Sequence, residues 1–426
     1  MLISQGWWQK WARYAGCLVL ATSLFHAPAP TVAQTLEGDD PATVTSLVRE
    51  VADHITKSAY RTEPRAVIYT KALKGLVAQL GEAAKSQERD FSTMIDDAAE
   101  AEFVRTLQAI ASTPGQRLSL RELAERAIQA YCRQHDAYTR YVRSDELKLV
   151  KLMGKTTGSA VGMSIMEKDD GFFYCYPLPG SPAAAAGVKA GQKLVSVDGK
   201  PVEGRSLEYL AAVIRGAPGT EVSLRVEHTF GRAQTIRITR ETLSTPSVLT
   251  EKKVSGFILR VRKFSKELLS EARAALAQMS QGSTLTVDFQ GCPGGDLDVA
   301  LEFAGMFMEP GETIVTVRRR GQPDEVISAN KPREFKPGGV ILLQDSGTAS
   351  GAELVIAALV ASKTARGASQ GTKTYGKGLT QNGIDLRGGG RLVVTTGELI
   401  APQGQSWDKI GLLPSLENRG RIFPKD

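Results

Sequence analysis

Ser350 lies in 345-DSGTASGAELVIAAL-359, where a strand-like run gives way to a helix-like run. A serine hydroxyl at such a junction can attack a carbonyl carbon if a nearby base takes its proton. Downstream, 371-GTKTYGKGLTQ-381 brackets Lys377 between Gly376 and Gly378. A free lysine is protonated at neutral pH, with a pKa of about 10.4. Burial without a carboxylate partner penalises the ammonium, and the neutral amine can then accept the Ser350 proton, the Ser-Lys form of the nucleophile–base pair. Flanking glycines let the backbone pack closely and carry the amine inside. Gln381 follows at 381 − 377 = 4 residues; its amide can orient the amine without adding negative charge. His54, His135 and His228 are the alternative bases. A Ser-His-Asp triad can be assembled from distant positions, but none of the three has a context that supports a nucleophile.

A tetrahedral intermediate needs donors for its oxyanion. The residues around Ser350 are the free N–H groups of a helix N-terminus, and Gly351 is the natural first donor. A second strand-to-helix turn, 285-LTVDFQGCPGGDLDVAL-301, carries Pro293-Gly294-Gly295, and a glycine there can turn its N–H towards a partner site. Two such donors contribute about 3–4 kcal/mol each to transition-state stabilisation. Cys292 would need a base of its own to be a nucleophile and reads as a small buried residue. Taken singly, each feature has an ordinary structural reading, since serines at helix starts are mostly N-caps and Pro-Gly-Gly is mostly a turn.

These residues need a scaffold, and 426 residues are enough for two or three domains. Residues 1–33 read as a cleaved export signal: Lys10 and Arg13 precede the apolar stretch CLVLATSLF, and Thr31-Val32-Ala33 offers a cleavage site. That stretch is about half of the roughly 20 residues a membrane span needs, which argues against an anchor. Removing Lys10 and Arg13 takes the formal charge from +7 to 7 − 2 = +5. The basic residues are dispersed, which gives nucleic-acid binding no support. Cysteine and histidine are too sparse for a zinc cluster, and no phosphate-cradling loop is present, so no metal or nucleotide cofactor is implied. Residues 34–116 form a helical N-terminal region, with apolar residues at helical spacing in ATVTSLVREVADHI. From about 155, short β-like runs (GFFYCY, QKLVSVDG, EVSLRVEH, QTIRITR) alternate with Gly/Pro turns around one helix candidate, SLEYLAAVIRG. From about 245, strands and helices alternate, which argues for a layered α/β core.

The stretch 180-GSPAAAAGVKAGQKLVSVDGKPVEG-204 with 213-VIRGAPGTEVSLRV-226 resembles a PDZ domain of bacterial proteases, over residues 155–242. PDZ domains add a peptide C-terminus as a strand to a sheet edge and hold its carboxylate on backbone N–H groups. The resemblance places that role on Ala160, Val161, Gly162 and Met163, and a gating link to the protease site on Arg215. The whole set, in this order, resembles the C-terminal processing (tail-specific) peptidases. It runs over about 117–415 and includes LAERAIQAYCRQHDAYTRYV and the tail TTGELIAPQGQSWDKIGLLPS. The resemblance implies Ser350 as nucleophile, Lys377 as general base, Gln381 as its orienting partner, and Gly295 and Gly351 as the oxyanion hole. It implies an α/β protease core of crotonase/ClpP-like layering (117–154 and 243–426), an inserted PDZ domain and a helical N-terminal region. Function follows as an exported, periplasmic serine endopeptidase whose substrates are proteins bound by their C-terminal tails. An adaptor or activating lipoprotein, and a homo-oligomer through the N-terminal helices, are compatible with it; a PDZ scaffold on an inactive protease fold is the alternative. The chain departs from the family pattern at Cys292, where Asn is usual, at Val360-Ala361, where Gln-Asp is common, and in a Ser-to-Lys interval (377 − 350 = 27) about two residues longer than expected.

Overall fold

The computed structural model describes residues 39–153, 159–167, 172–177, 180–228, 231–242, 246–253 and 256–424. The proposed export signal lies outside them. Among the described residues no helix is long and apolar enough to cross a membrane.

Four long helices, Pro41–Ser58, Arg65–Leu80, Asp96–Ala111 and Leu120–His135, occupy the N-terminal part. Local chemistry starts two of them. Asp40 accepts the Thr43 N–H at 2.9 Å ahead of Pro41. Ser119 and Glu122 form a reciprocal capping box, with bonds of 3.2 and 2.9 Å. The apolar stripe Val44, Leu47, Val48, Val51 and Ile55 is fully buried. It packs into one core with Tyr141, Leu386, Leu392 and Val394. Those last three residues belong to a β-hairpin, Leu379–Asp385 and Arg391–Ile400, that begins just after Lys377. The hairpin turn is pinned to the helices: Arg387 N–H reaches the Glu50 carboxylate at 3.0 Å, and Arg121 donates to the Gly388 carbonyl at 2.5 Å.

A second body is a six-stranded antiparallel sheet. Its main path runs Met163–Glu167, Phe173–Pro177, Gln192–Val197, Glu221–Glu227 and Ala233–Thr239, with helix Leu207–Ile214 packed on it. Strand Met163–Glu167 is an edge, the side on which a further strand can pair.

The remaining core has two sheets. One runs Val248–Lys253, Gly256–Val261, Thr284–Asp288, Gly339–Gln344, Ala368–Gly371; its first pair is antiparallel and the others are parallel. Helices Leu268–Leu276, Leu297–Gly305 and Gly351–Ala361 carry the crossovers. Leu259, Leu285, Val287 and Leu342 are fully buried within it. The other sheet orders Arg140–Val142, Arg391–Ile400, Thr313–Arg318 and Glu325–Ser328, with Leu379–Asp385 also paired to the long strand. Three neighbouring parallel strands, ending at Asp288, Gln344 and Gly371, release their turns at the same carboxyl-terminal edge. That edge is where open α/β sheets build their sites.

Leu47 is fully buried, and a Cβ on Gly388 of the hairpin turn would stand 3.1 Å from its own Cβ. Leu47→Ala is expected to lower stability by about 2–5 kcal/mol, read as a shifted urea midpoint at unchanged slope.

Candidate active site

The turn after Gln344 is knotted to the turn after Asp288. Asp345 accepts the N–H groups of Gly291 and Gly347, both at 2.9 Å. The Thr348 hydroxyl donates to the Phe289 carbonyl at 2.9 Å, and Ala349 N–H donates to the Cys292 carbonyl at 2.9 Å. Held this way, Ser350 adopts φ +56° and ψ −119° immediately before helix Gly351–Ala361. Positive φ in a residue with a Cβ is strained. A strained serine between strand and helix is the geometry that thrusts a nucleophile out of its turn.

Gly294 lies directly against it. At φ +88°, a Cβ there would sit 2.7 Å from the Ser350 Cβ and 2.8 Å from the Gly351 nitrogen. Gly295 follows at φ +151°, pressed onto the Phe264 carbonyl. The bonds from Phe264 N–H to the Gly294 carbonyl and from Asp296 N–H to the Phe264 carbonyl, both 2.9 Å, fix the turn. Neither the Gly295 nor the Gly351 N–H has an acceptor among the described residues. Gly351 follows Ser350 directly, and Gly295 follows Gly294, the residue packed against Ser350.

Lys377 sits on a segment threaded against 407–412. Thr374 N–H donates to the Leu412 carbonyl at 3.0 Å, Lys409 N–H to the Gly376 carbonyl at 2.8 Å, and the Trp407 indole to the Lys377 carbonyl at 3.1 Å. A Cβ on Gly376 would be 2.8 Å from the Gly411 nitrogen, and one on Gly378 would be 2.7 Å from the Asp408 nitrogen. The two glycines are what allow this approach. The Lys377 amine makes no ion pair or hydrogen bond among the described residues; it lies 4.8 Å from the Tyr138 ring centroid. Burial holds its pKa below the ordinary lysine value, the positive charge of Arg140 pushes the same way, and Glu353 opposes.

Glu353 joins the two segments. It is fully buried. One carboxylate oxygen, Oε2, accepts both the Ser350 N–H and the Lys377 N–H, each at 2.8 Å. The other, Oε1, accepts the Gly376 N–H at 2.7 Å and the Thr374 hydroxyl at 2.5 Å. Burial raises its pKa, with these donors pulling it back. Glu353 is not among the residues the motifs single out, although its offset of three from Ser350 is a capping-box spacing that could have marked it. The sequence marks Gly294 as part of a turn, with no sign that it packs against Ser350. Tyr138 and Arg140 lie in the segment LAERAIQAYCRQHDAYTRYV, where nothing marks either as part of a site.

The Gln381 amide donates to the Leu379 carbonyl at 3.0 Å. His135 pairs with the Tyr131 hydroxyl and His228 with the Gln192 amide, both at 2.9 Å, and no described histidine bonds Ser350. Cys292 is fully buried, and burial pushes its thiol up to about 12, the condition of an inert cysteine. In the sheet domain Ala160 pairs with Glu241. The buried Val161 accepts the Ala183 N–H at 2.9 Å, Gly162 has φ +66°, and Met163 opens the edge strand. Arg215 is exposed at the C-cap of helix Leu207–Ile214, where its N–H donates to the Ala211 carbonyl.

Glu353→Ala leaves the N–H groups of Ser350, Gly376 and Lys377 without their acceptor and the Thr374 hydroxyl with only the Leu412 N–H, at about 1–3 kcal/mol for each lost bond. The expected result is a large drop in Tm together with loss of activity. Lys377→Met, by contrast, is expected to raise Tm at neutral pH while abolishing activity. A lysine with a depressed folded-state pKa binds protons more weakly in the native than in the unfolded chain, so it destabilises below its unfolded pKa. Differential scanning calorimetry at pH 7 checks both.

Residues 257–417 match Peptidase family S41 and residues 173–228 match PDZ domain. A carboxyl-terminal-processing protease of Picosynechococcus sp. is 31% identical over 289 residues, 66% of this chain and 69% of that protein. The carboxy-terminal processing protease CtpA of Bacillus subtilis is 28% identical over 285 residues, 66% of this chain but 60% of its own length. Among solved structures, a photosystem II D1 C-terminal processing protease overlays with TM-score 0.56 at 23% identity, over 83% of this chain and 92% of that one, a likeness of fold. With the site geometry and these matches together, the chain belongs to peptidase family S41, the PDZ-bearing carboxyl-terminal-processing serine proteases.

Proposed function

We propose that this chain is an exported endopeptidase that binds protein C-termini through its PDZ domain and cuts with a Ser350–Lys377 dyad. The observation that carries this is the shared carboxylate oxygen of Glu353, which registers on one atom a strained serine and a half-buried lysine that has no ion pair among the described residues. A substrate tail adds to edge strand Met163–Glu167, its carboxylate received by Ala160–Met163. Ser350 Oγ attacks the scissile carbonyl carbon as its proton passes to the neutral Lys377 amine. The oxyanion is held by the N–H groups of Gly295 and Gly351. The lysine ammonium then gives its proton to the leaving amine, and an acyl-enzyme on Ser350 remains. Water, deprotonated by the same amine, releases it. Gln381 orients the amine in the working conformation, and Arg215 links an occupied PDZ domain to it. The 117–154 and 243–426 segments form one crotonase/ClpP-like core into which 155–242 is inserted, and residues 1–33 direct export to the periplasm.

A second reading, a resting enzyme that needs a tail or a helper protein to become active, is favoured by one observation. The Lys377 amine lies on Tyr138 with no hydrogen bond to the Ser350 hydroxyl, and the Gln381 amide is spent on Leu379.

Hydrolysis of a denatured protein with an apolar C-terminus tests the dyad. Ser350→Ala and Lys377→Ala are each expected to lose about 10⁴-fold or more in kcat, and unchanged cleavage in either rules the dyad out. The parent's kcat/KM is expected to rise with pH along an acid limb set by Lys377, below the ordinary lysine value, because only the neutral amine works.

A further inference from the structure

The Lys377 amine faces a tyrosine from a distant part of the chain, and that tyrosine is fixed from two sides. Asp136 accepts the N–H groups of Tyr138 and Thr139, both at 2.7 Å, and the hydroxyls of Thr139 and Thr395 at 2.7 and 3.1 Å. Thr395 lies in the long strand of the lysine-bearing hairpin. From the other side, Arg140 donates from Nη1 to the Tyr138 carbonyl at 3.1 Å and from Nε to Glu208 at 2.6 Å. Glu208 stands in the first turn of helix Leu207–Ile214, within the residues matched as PDZ domain. Its second oxygen, Oε2, is buried without a partner among the described residues. None of Tyr138, Arg140 and Glu208 lies within the matched S41 segment.

We propose that Tyr138 is a positioning residue for the lysine base, its ring shielding and aiming the amine, with the ring's own place set by Arg140 from the PDZ side. This rests on the Ser350–Lys377 reading. A ring face attracts an ammonium, but the same ring excludes water and so favours the neutral amine; at Lys377 burial prevails. Arg140 and Glu353 are the charged groups that act on the amine. Around the Tyr138 phenol, burial comes first in raising its pKa, and Tyr375, Asp408, Glu353 and Asp136 add to it, which keeps it a neutral hydroxyl. Arg140 is the one side chain that touches both the Tyr138 backbone and the PDZ helix through described hydrogen bonds.

The test is the pH profile of kcat and KM for the full chain on a fluorogenic peptide with a free apolar C-terminus, with circular dichroism confirming folding of each variant. Tyr138→Ala is expected to lose about 10²-fold in kcat and to move the acid limb to higher pH, as water reaches the amine. Tyr138→Phe, which keeps the ring, is expected to recover most of that loss. Glu208→Gln is expected to lower kcat roughly fivefold at unchanged KM, the scale of one exposed ion pair. An acid limb of Tyr138→Ala that coincides with the parent's overturns the proposal, as does a Tyr138→Phe no better than Tyr138→Ala. A rise in KM alone for Glu208→Gln places that residue in tail binding and removes the link to Tyr138. Lys377→Ala, run alongside, separates the two levels. If it stays active the dyad itself is wrong; if it is inactive while Tyr138→Ala keeps the parent profile, only this proposal falls.

Discussion

The site depends on a single buried carboxylate oxygen that receives one N–H from Ser350 and one from Lys377. A carboxylate taken out of water is costly unless its lone pairs find donors. Glu353 finds four, and they come from both chemistry-bearing segments. Neither segment alone would satisfy it. The helix that begins at Gly351 and the loop that carries Lys377 are therefore assembled together, through main-chain atoms.

The rest of the scaffold serves that registration. Adjacent parallel strands end in line and send their turns to one edge of the sheet. Two of the turns are laced together by Asp345, Thr348 and Ala349, which is how the fold sustains positive φ at Ser350. Gly294 and Gly376 are required for space as much as for conformation, since a methyl group at either would strike backbone that belongs to the site.

What the sequence disclosed follows from how local each feature is. Strands Thr284–Asp288 and Gly339–Gln344 are legible because apolar and β-branched residues dominate them, one face fully buried and the other in part. The helical spacing of Val44, Leu47, Val51 and Ile55 is likewise a local record of one buried face. Ser350, Lys377 and the glycines were legible because turns restrict residue type. The hairpin 379–400 left little trace, because strand Leu379–Asp385 mixes Gly, Asn, Gln and Asp with two apolar residues, Leu379 and Ile384. Tyr138 was invisible for a different reason. Its place beside Lys377 comes from the pairing of Arg140 with Val393 and from Asp136, long-range contacts that no window of sequence contains. Gln381 lies in strand Leu379–Asp385, and its amide donates to the Leu379 carbonyl.

The long strand Arg391–Ile400 has one end in each of two hydrophobic cores, with Leu392 and Val394 among the N-terminal helices and Leu399 beneath the parallel sheet. The helical region and the catalytic core are consequently separate in sequence but not in thermodynamics. Loosening the helices would reach the lysine along a continuous ribbon of β-structure, so the N-terminal third of the chain is a foundation of the reaction centre and not an appendage to it.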